Sequence, residues 1–241
     1  MKILNWISTE KSHHKTIASR RLADTGTWLL KQRSYEMWKY STRTPFLWLN
    51  GGPGTGKSIL TSLVIDDIMI ETRKRNGPPL AYFYCSRDSS EPRRGDSTEV
   101  LLSILRQLLS NGHEYSGDES LILSLSHWQL PLKMDATNRL DQSESIAIIT
   151  DICSIRGAYI IIDALDECSA KHRENLMDSL DIICKNTTSI VNIFISSRPN
   201  DYDIKTHFTE IPRVEISAKL NSHDIKNFGS PPSSPPSLDL F

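Results

Sequence analysis

Residues 45–58 read PFLWLNGGPGTGKS, and the fold turns on this stretch. An apolar run, Pro45–Asn50, leads into a glycine-rich turn, Gly51-Gly52-Pro53-Gly54-Thr55-Gly56-Lys57-Ser58. Beyond it Ile59, Leu60, Leu63, Val64 and Ile68 recur at helical spacing, which predicts a helix over Ser58–Thr72. The turn matches G-x-x-x-x-G-K-[ST] in full. The spacing has a chemical reason. Successive backbone N–H groups can face inward around a polyphosphate only where glycine permits the angles and the close approach. A helix opening near Lys57 aims the positive end of its dipole at the same point. Lys57 adds a mobile ammonium for the terminal phosphates, and the Ser58 hydroxyl is suited to Mg²⁺. Gly51, Gly52, Pro53, Gly54, Thr55, Gly56, Lys57 and Ser58 are therefore the candidate nucleotide-binding residues, with Ser58 also a candidate metal ligand.

Four more stretches read as strands: Leu80–Cys85, Ala158–Asp163, Val191–Ser197 and Arg213–Ser217. Most are nearly continuous apolar runs, the pattern of a parallel sheet covered on both faces. Helical patterns fall between them. Asp96 followed by Glu99, and Asp141 followed by Glu144, each read as an N-cap with its capping partner. Lys171–Lys185 carries Leu176, Met177, Leu180 and Ile183 on one helical face. Strands alternating with helices predict an α/β fold, a five-stranded and mostly parallel sheet sandwiched by helices. Residues 1–44 read as a helical N-terminal extension, 45–228 as the main domain, and 229–241 as a tail. Asn111–Gln142 is weakly patterned and reads as an insertion. The tail, GSPPSSPPSLDLF, has Pro-Pro pairs that cannot continue a helix, so disorder is expected there.

The second chemical signal is AYIIIDALDE, residues 158–167. A buried strand ending in a carboxylate cluster places Asp163 at the carboxyl edge of the sheet, where α/β folds bind ligands. Asp163 is the candidate metal aspartate. Asp166 and Glu167 are candidate catalytic acids, Glu167 standing one turn on, where it could orient or deprotonate an attacking water. The third signal is ISSRP, residues 195–199. Arg198 follows a strand end and is placed to sense or stabilise a γ-phosphate. For the base, the chain has D-x-x-D at Asp163–Asp166 and no N-K-x-D, so adenine is favoured over guanine.

Composition excludes several classes. Lys plus Arg is 28 and Asp plus Glu is 29, which argues against a dedicated nucleic-acid binder. Apolar runs such as Ala158–Ile162 are far short of the ~20 residues of a spanning helix, so no membrane association is expected. Neither a secretory leader nor a CxxC pair is present among the 241 residues, which points to a cytoplasmic protein with reduced thiols and no zinc site. The seven histidines do not cluster at metal-ligand spacing.

The chain resembles the NACHT NTPase module of the STAND class, in the form of fungal NLR-like proteins with a nephrocystin-like N-terminal domain. FLWLNGGPGTGKSIL, YIIIDALDEC and FISSRP carry the match, supported by TGTWLL at 25–30, Trp38, AYFYCSRDSS and LLSILRQLL. The resemblance implies a five-stranded P-loop core in which the sensor strand separates the acidic strand from the phosphate-loop strand. It also implies ATP or GTP with Mg²⁺, slow hydrolysis, and a nucleotide state that gates self-association in signalling. In that frame Lys57 and Ser58 serve phosphate and metal, Asp163 holds the metal, Asp166 and Glu167 are the catalytic acids, and Arg198 is the sensor. The segment around Thr25–Trp28 stands either beside the adenine or as a core-packing helix. Full-length members continue into a winged helix, often followed by repeats. Here Asn221–Ile225 is where the next helix would start, followed by the Pro/Ser-rich tail, so the chain is expected to stop short of the winged helix. The alternative reading is a truncated, non-enzymatic remnant or interaction module.

Overall fold

The computed structural model describes residues 13–42, 46–75, 77–112, 128 and 139–217. The expectations for the tail, for a helix start at 221–225 and for most of the 111–142 insertion lie outside these residues. Among the described residues three short helices come first: α1 (His14–Ala18), α2 (Thr27–Leu30) and α3 (Arg33–Lys39). Then follow β1 (Phe46–Asn50), α4 (Lys57–Arg75), β2 (Leu80–Tyr84), α5 (Ser97–Gly112) and α6 (Gln142–Arg156). The chain continues with β3 (Ala158–Asp163), α7 (Ala170–Asn186), β4 (Val191–Ser197), α8 (Tyr202–His207) and β5 (Arg213–Glu215).

The five strands form one sheet in the order β2-β3-β4-β1-β5, and all four pairings are parallel. Strand β4, which leads to Arg198, lies between the acidic strand β3 and the phosphate-loop strand β1, the order the resemblance implied. The apolar runs divide by alternation. Phe46, Trp48, Ala81, Phe83, Ile160, Ile162, Ile193 and Ile195 pack with α5, α6 and α7 on one face. Leu47, Leu49, Leu80, Tyr84, Ile161 and Phe194 pack with α4 and the N-terminal helices on the other. This is why the strands read as continuous apolar runs: each face of the sheet needs its own set. The helix predicted over Ser58–Thr72 runs one residue earlier and three later.

The caps differ in an instructive way. At α6 the Asp141 side chain accepts the Glu144 N–H, and the Glu144 side chain returns to the Asp141 N–H. At α5 the Asp96 carboxylate accepts the Thr98 N–H at 2.8 Å, but the Glu99 carboxylate pairs with Arg139 instead of reaching back. A tertiary ion pair there replaces half of the local capping box.

The N-terminal helices are stitched to the sheet. The Trp38 indole N–H donates to the Ile193 carbonyl at 2.9 Å and its ring packs edge-on against Phe194 and Tyr159. The terminal carbonyls of α3 are claimed by side chains of the sheet: the Asn192 amide on β4 donates to Trp38 O, and the Tyr159 hydroxyl on β3 donates to Lys39 O at 2.8 Å. On α4, Asp66 meets His14 at 2.9 Å and Arg21 at 2.6 Å, while Asp67 takes Tyr35 and Lys39, both at 2.6 Å. Trp38→Ala is expected to cost about 3–5 kcal/mol by urea unfolding, because it removes a fully buried ring. The exposed neighbour Met37→Ala should stay within about 0.5 kcal/mol.

Candidate functional site

The phosphate-loop residues bridge β1 and α4. Gly54 and Gly56 hold φ of 72° and 85°, left-handed backbone that glycine adopts without a Cβ penalty. Side chains close the turn on itself: Thr55 Oγ1 donates to Gly52 O at 2.9 Å, and Lys57 Nζ donates to Gly51 O at 2.7 Å and Gly52 O at 2.9 Å. The ammonium thus sits across the mouth of the loop. Gly51 is packed from behind, where a Cβ would stand 3.1 Å from Ile216 Cδ1 just beyond β5. Asn50, the last residue of β1, is buried, and its Oδ1 has no hydrogen-bond partner among the described residues.

Asp163 ends β3 beside this loop and is 2% exposed. Its Oδ1 accepts from Thr61 Oγ1 at 2.8 Å and from Ser196 Oγ at 2.5 Å, and the Ser58 hydroxyl lies nearby. Burial raises its pKa above the ordinary carboxylate value, against the nearby hydroxyls of Ser196, Ser58 and Thr61 and the charge of Lys57. The backbone then turns sharply at Ala164, whose φ of 56° is left-handed and whose N–H donates to Ser196 Oγ at 2.9 Å. That turn throws the 3₁₀ segment Leu165–Glu167 over the carboxyl edge of the sheet.

Asp166 and Glu167 meet Arg198 there. Asp166 Oδ1 accepts the Arg198 backbone N–H at 3.0 Å, Asp166 Oδ2 lies 3.1 Å from Arg198 Nε, and Glu167 Oε1 lies 3.2 Å from Arg198 Nη2. Asp166 is buried, whereas Arg198 is about half exposed. Burial pulls the Lys57 ammonium below its usual value. Arg198 reinforces that shift, while the charges of Asp166, Asp163 and Glu167 oppose it. The structure therefore brings Lys57, Ser58, Asp163, Asp166, Glu167 and Arg198 to one place. Thr25–Trp28 also comes close: a Cβ at Gly26 would stand 2.7 Å from Leu60 and 3.2 Å from Leu63 on the first turns of α4, and Trp28 packs partly buried against the same core.

Sequence reading missed four residues of this neighbourhood. Thr61 and Ser196 hold Asp163. Arg87, beyond β2, donates to Asp166 O at 2.5 Å and stands 3.9 Å from Glu167. Arg173, on α7, donates to the carbonyls of the acidic turn. Only Arg173 left a trace in the sequence, as a cation in the first turn of a helix, where the dipole disfavours it.

The sequence model of the family described as nephrocystin 3, N-terminal, matches residues 24–198, more than half of the chain. The chain belongs to the nephrocystin 3 N-terminal family. The match spans the phosphate loop, the acidic strand and Arg198, and the domain is of the NACHT-like P-loop NTPase kind. It is 29% identical over 219 residues to vegetative incompatibility protein HET-E-1 of Podospora anserina. That alignment takes in 85% of this chain and 14% of the relative, so the chain spans a small part of that protein's length. The fold is similar to the crystal structure of Cdc6p from Pyrobaculum aerophilum, with a TM-score of 0.50 at 12% identity, over 92% of this chain and 52% of that one. No described helix is long and apolar enough to cross a membrane, and no described group of His, Cys, Asp and Glu could hold a metal by itself.

In this nephrocystin-type domain the buried Asp163 makes stability depend on pH in a defined direction. Between the ordinary carboxylate value and the raised one, the folded chain keeps a proton that the unfolded chain has lost. Stability therefore declines as the pH climbs through that window. Asp163→Asn keeps an acceptor for Thr61 and Ser196 and carries no charge. Urea melts at acid and neutral pH should show the variant gaining on the wild type as the pH rises, and exceeding it at neutrality.

Proposed function

We propose that this domain binds a nucleoside triphosphate with Mg²⁺, hydrolyses it slowly, and uses the nucleotide state to gate self-association in signalling. ATP is preferred to GTP, because the chain has no N-K-x-D. The observation that carries this reading is the convergence of Lys57, Ser58 and Asp163 with Asp166, Glu167 and Arg198 at one sheet edge.

The residues present fit a hydrated Mg²⁺. The Ser58 hydroxyl and Asp163 carboxylate are hard oxygen donors close to one another. These two would hold the ion, which supplies charge neutralisation for the phosphate oxygens. The loop amides of residues 51–58 and the start of α4 orient the phosphates, and Lys57 exchanges the Gly51 and Gly52 carbonyls for phosphate oxygens. Glu167 orients the water and accepts its proton, Asp166 fixes Arg198, and Arg198 faces the γ-phosphate. Gly26 and its neighbours, packed on Leu60 and Leu63, border the base.

The switching role extends the likeness to a relative named as a vegetative incompatibility protein, with a cytoplasmic setting as its companion. A second reading, a binder without turnover, is favoured by one observation: Arg198 engages both Asp166 and Glu167, tying up the water-activating carboxylate.

Labelled ATP with Mg²⁺ should bind wild type, and Lys57→Ala should lose that binding. Glu167→Gln should bind normally yet hydrolyse about 10²–10⁴-fold more slowly. Equal binding by wild type and Lys57→Ala would overturn the site. Light scattering should show a mass that changes with the bound nucleotide. Binding without any turnover selects the second reading.

A further inference from the structure

The acidic turn and the loop carrying Arg198 are joined by a buried cation that belongs to no nucleotide-binding motif. Arg173 lies in the first turn of α7 and is 6% exposed. A guanidinium there is opposed by the helix dipole and by desolvation, so its place has to be supported by tertiary partners. Those partners come from the acidic turn and from the start of α8. Nη1 donates to Cys168 O at 3.3 Å and to Asp166 O at 3.5 Å. Nε and Nη2 form a fork on the two oxygens of Asp203, at 2.6 and 2.9 Å, and Asp201 lies 3.6 Å away. Burial works against the charged Asp203 carboxyl, but the Arg173 hydrogen bond and charge outweigh it and hold its pKa below the usual range.

The contacts close a ring. Asp166 is held by its carboxylate to Arg198 and by its carbonyl to Arg173. Arg173 in turn grips Asp201 and Asp203, a few residues beyond Arg198. Glu167 lies between the two residues whose carbonyls Arg173 holds, so the peptide unit before it and the one after Cys168 are tied to one guanidinium. Lys57 and Ser58 have no part in this ring.

We infer that Arg173 is a positioning residue that sets the Glu167 carboxylate and the Arg198 guanidinium in register, so that turnover depends on it and nucleotide affinity does not. The inference rests on the NTPase reading above for its catalytic consequence. Arg173 is buried on its side of these pairs, so its loss also lowers stability; a purely stabilising role would leave the turnover of the folded variant unchanged.

The test compares the full chain with Arg173→Met, Arg173→Lys and Asp203→Asn. It measures affinity for labelled Mg-ATP, single-turnover hydrolysis, and hydrogen exchange of the backbone amides. Arg173→Met should hydrolyse about 10- to 100-fold more slowly at unchanged affinity, the usual effect of misplacing a reacting group by an ångström. Arg173→Lys keeps the charge and loses the fork, and should fall between Met and wild type. Asp203→Asn leaves the arginine in place and should slow turnover in the same direction. Amides of 166–168 and Arg198 should exchange faster in the variants, while those of α4 do not change. Affinity and rate falling together, or a rate that does not move, would overturn the inference. Should the wild type hydrolyse no ATP, the NTPase reading fails on its own. Exchange then decides the brace: acceleration confined to the two loops supports it, and unchanged exchange overturns it.

Discussion

A single carboxylate buried under the sheet edge constrains everything around it. An isolated charge at the exposure of Asp163 would be heavily penalised, so its oxygens must find hydrogen bonds inside the protein. Thr61 supplies one from α4, and Ser196 another from the end of β4. These two hydroxyls fix the phosphate-loop helix, the acidic strand and β4 relative to one another. Ser196 does more, because the same oxygen accepts the Ala164 N–H and supports the left-handed turn that presents Asp166 and Glu167. The geometry of the candidate catalytic acids is thus inherited from the burial of the candidate metal ligand.

The charges at the mouth of the site are largely compensated from within. Lys57 is caught by loop carbonyls, and Arg198 by two carboxylates. A polyanion entering such a site competes with existing partners instead of meeting bare cations. Its binding therefore depends on what it adds: several backbone amides at once, and a metal that none of the resident groups replaces.

Much of this was legible in the sequence because the informative residues are contiguous. Strand, glycine turn and helix follow one another in 45–72, and AYIIID shows a strand ending in a carboxylate without reference to any other segment. What was not legible depends on sheet order. Thr61 is a hydroxyl on a helix, indistinguishable by spacing from a solvent-facing threonine. It becomes a partner of Asp163 only because β3 lies near α4. Ser196 stands within ISSRP, but its direction follows from the β3–β4 register. Glu99 shows the converse. Its local signal was correct for a cap, and Arg139, forty residues away, took the side chain instead. The order of β3, β4 and β1 was supplied by family resemblance and not by periodicity, which carries no information about neighbours.

The helices between His14 and Lys39 form part of one wall of the sheet. Trp38 covers Phe194 and Tyr159, and the last carbonyls of α3 take the side-chain donors of Asn192 and Tyr159. A recombinant piece trimmed to begin at β1 would lay these aromatic rings bare and strand a buried amide without its acceptor. Such a piece would be sticky in solution for reasons unconnected with nucleotide, and any clumping it showed would be an artefact of where the chain was cut.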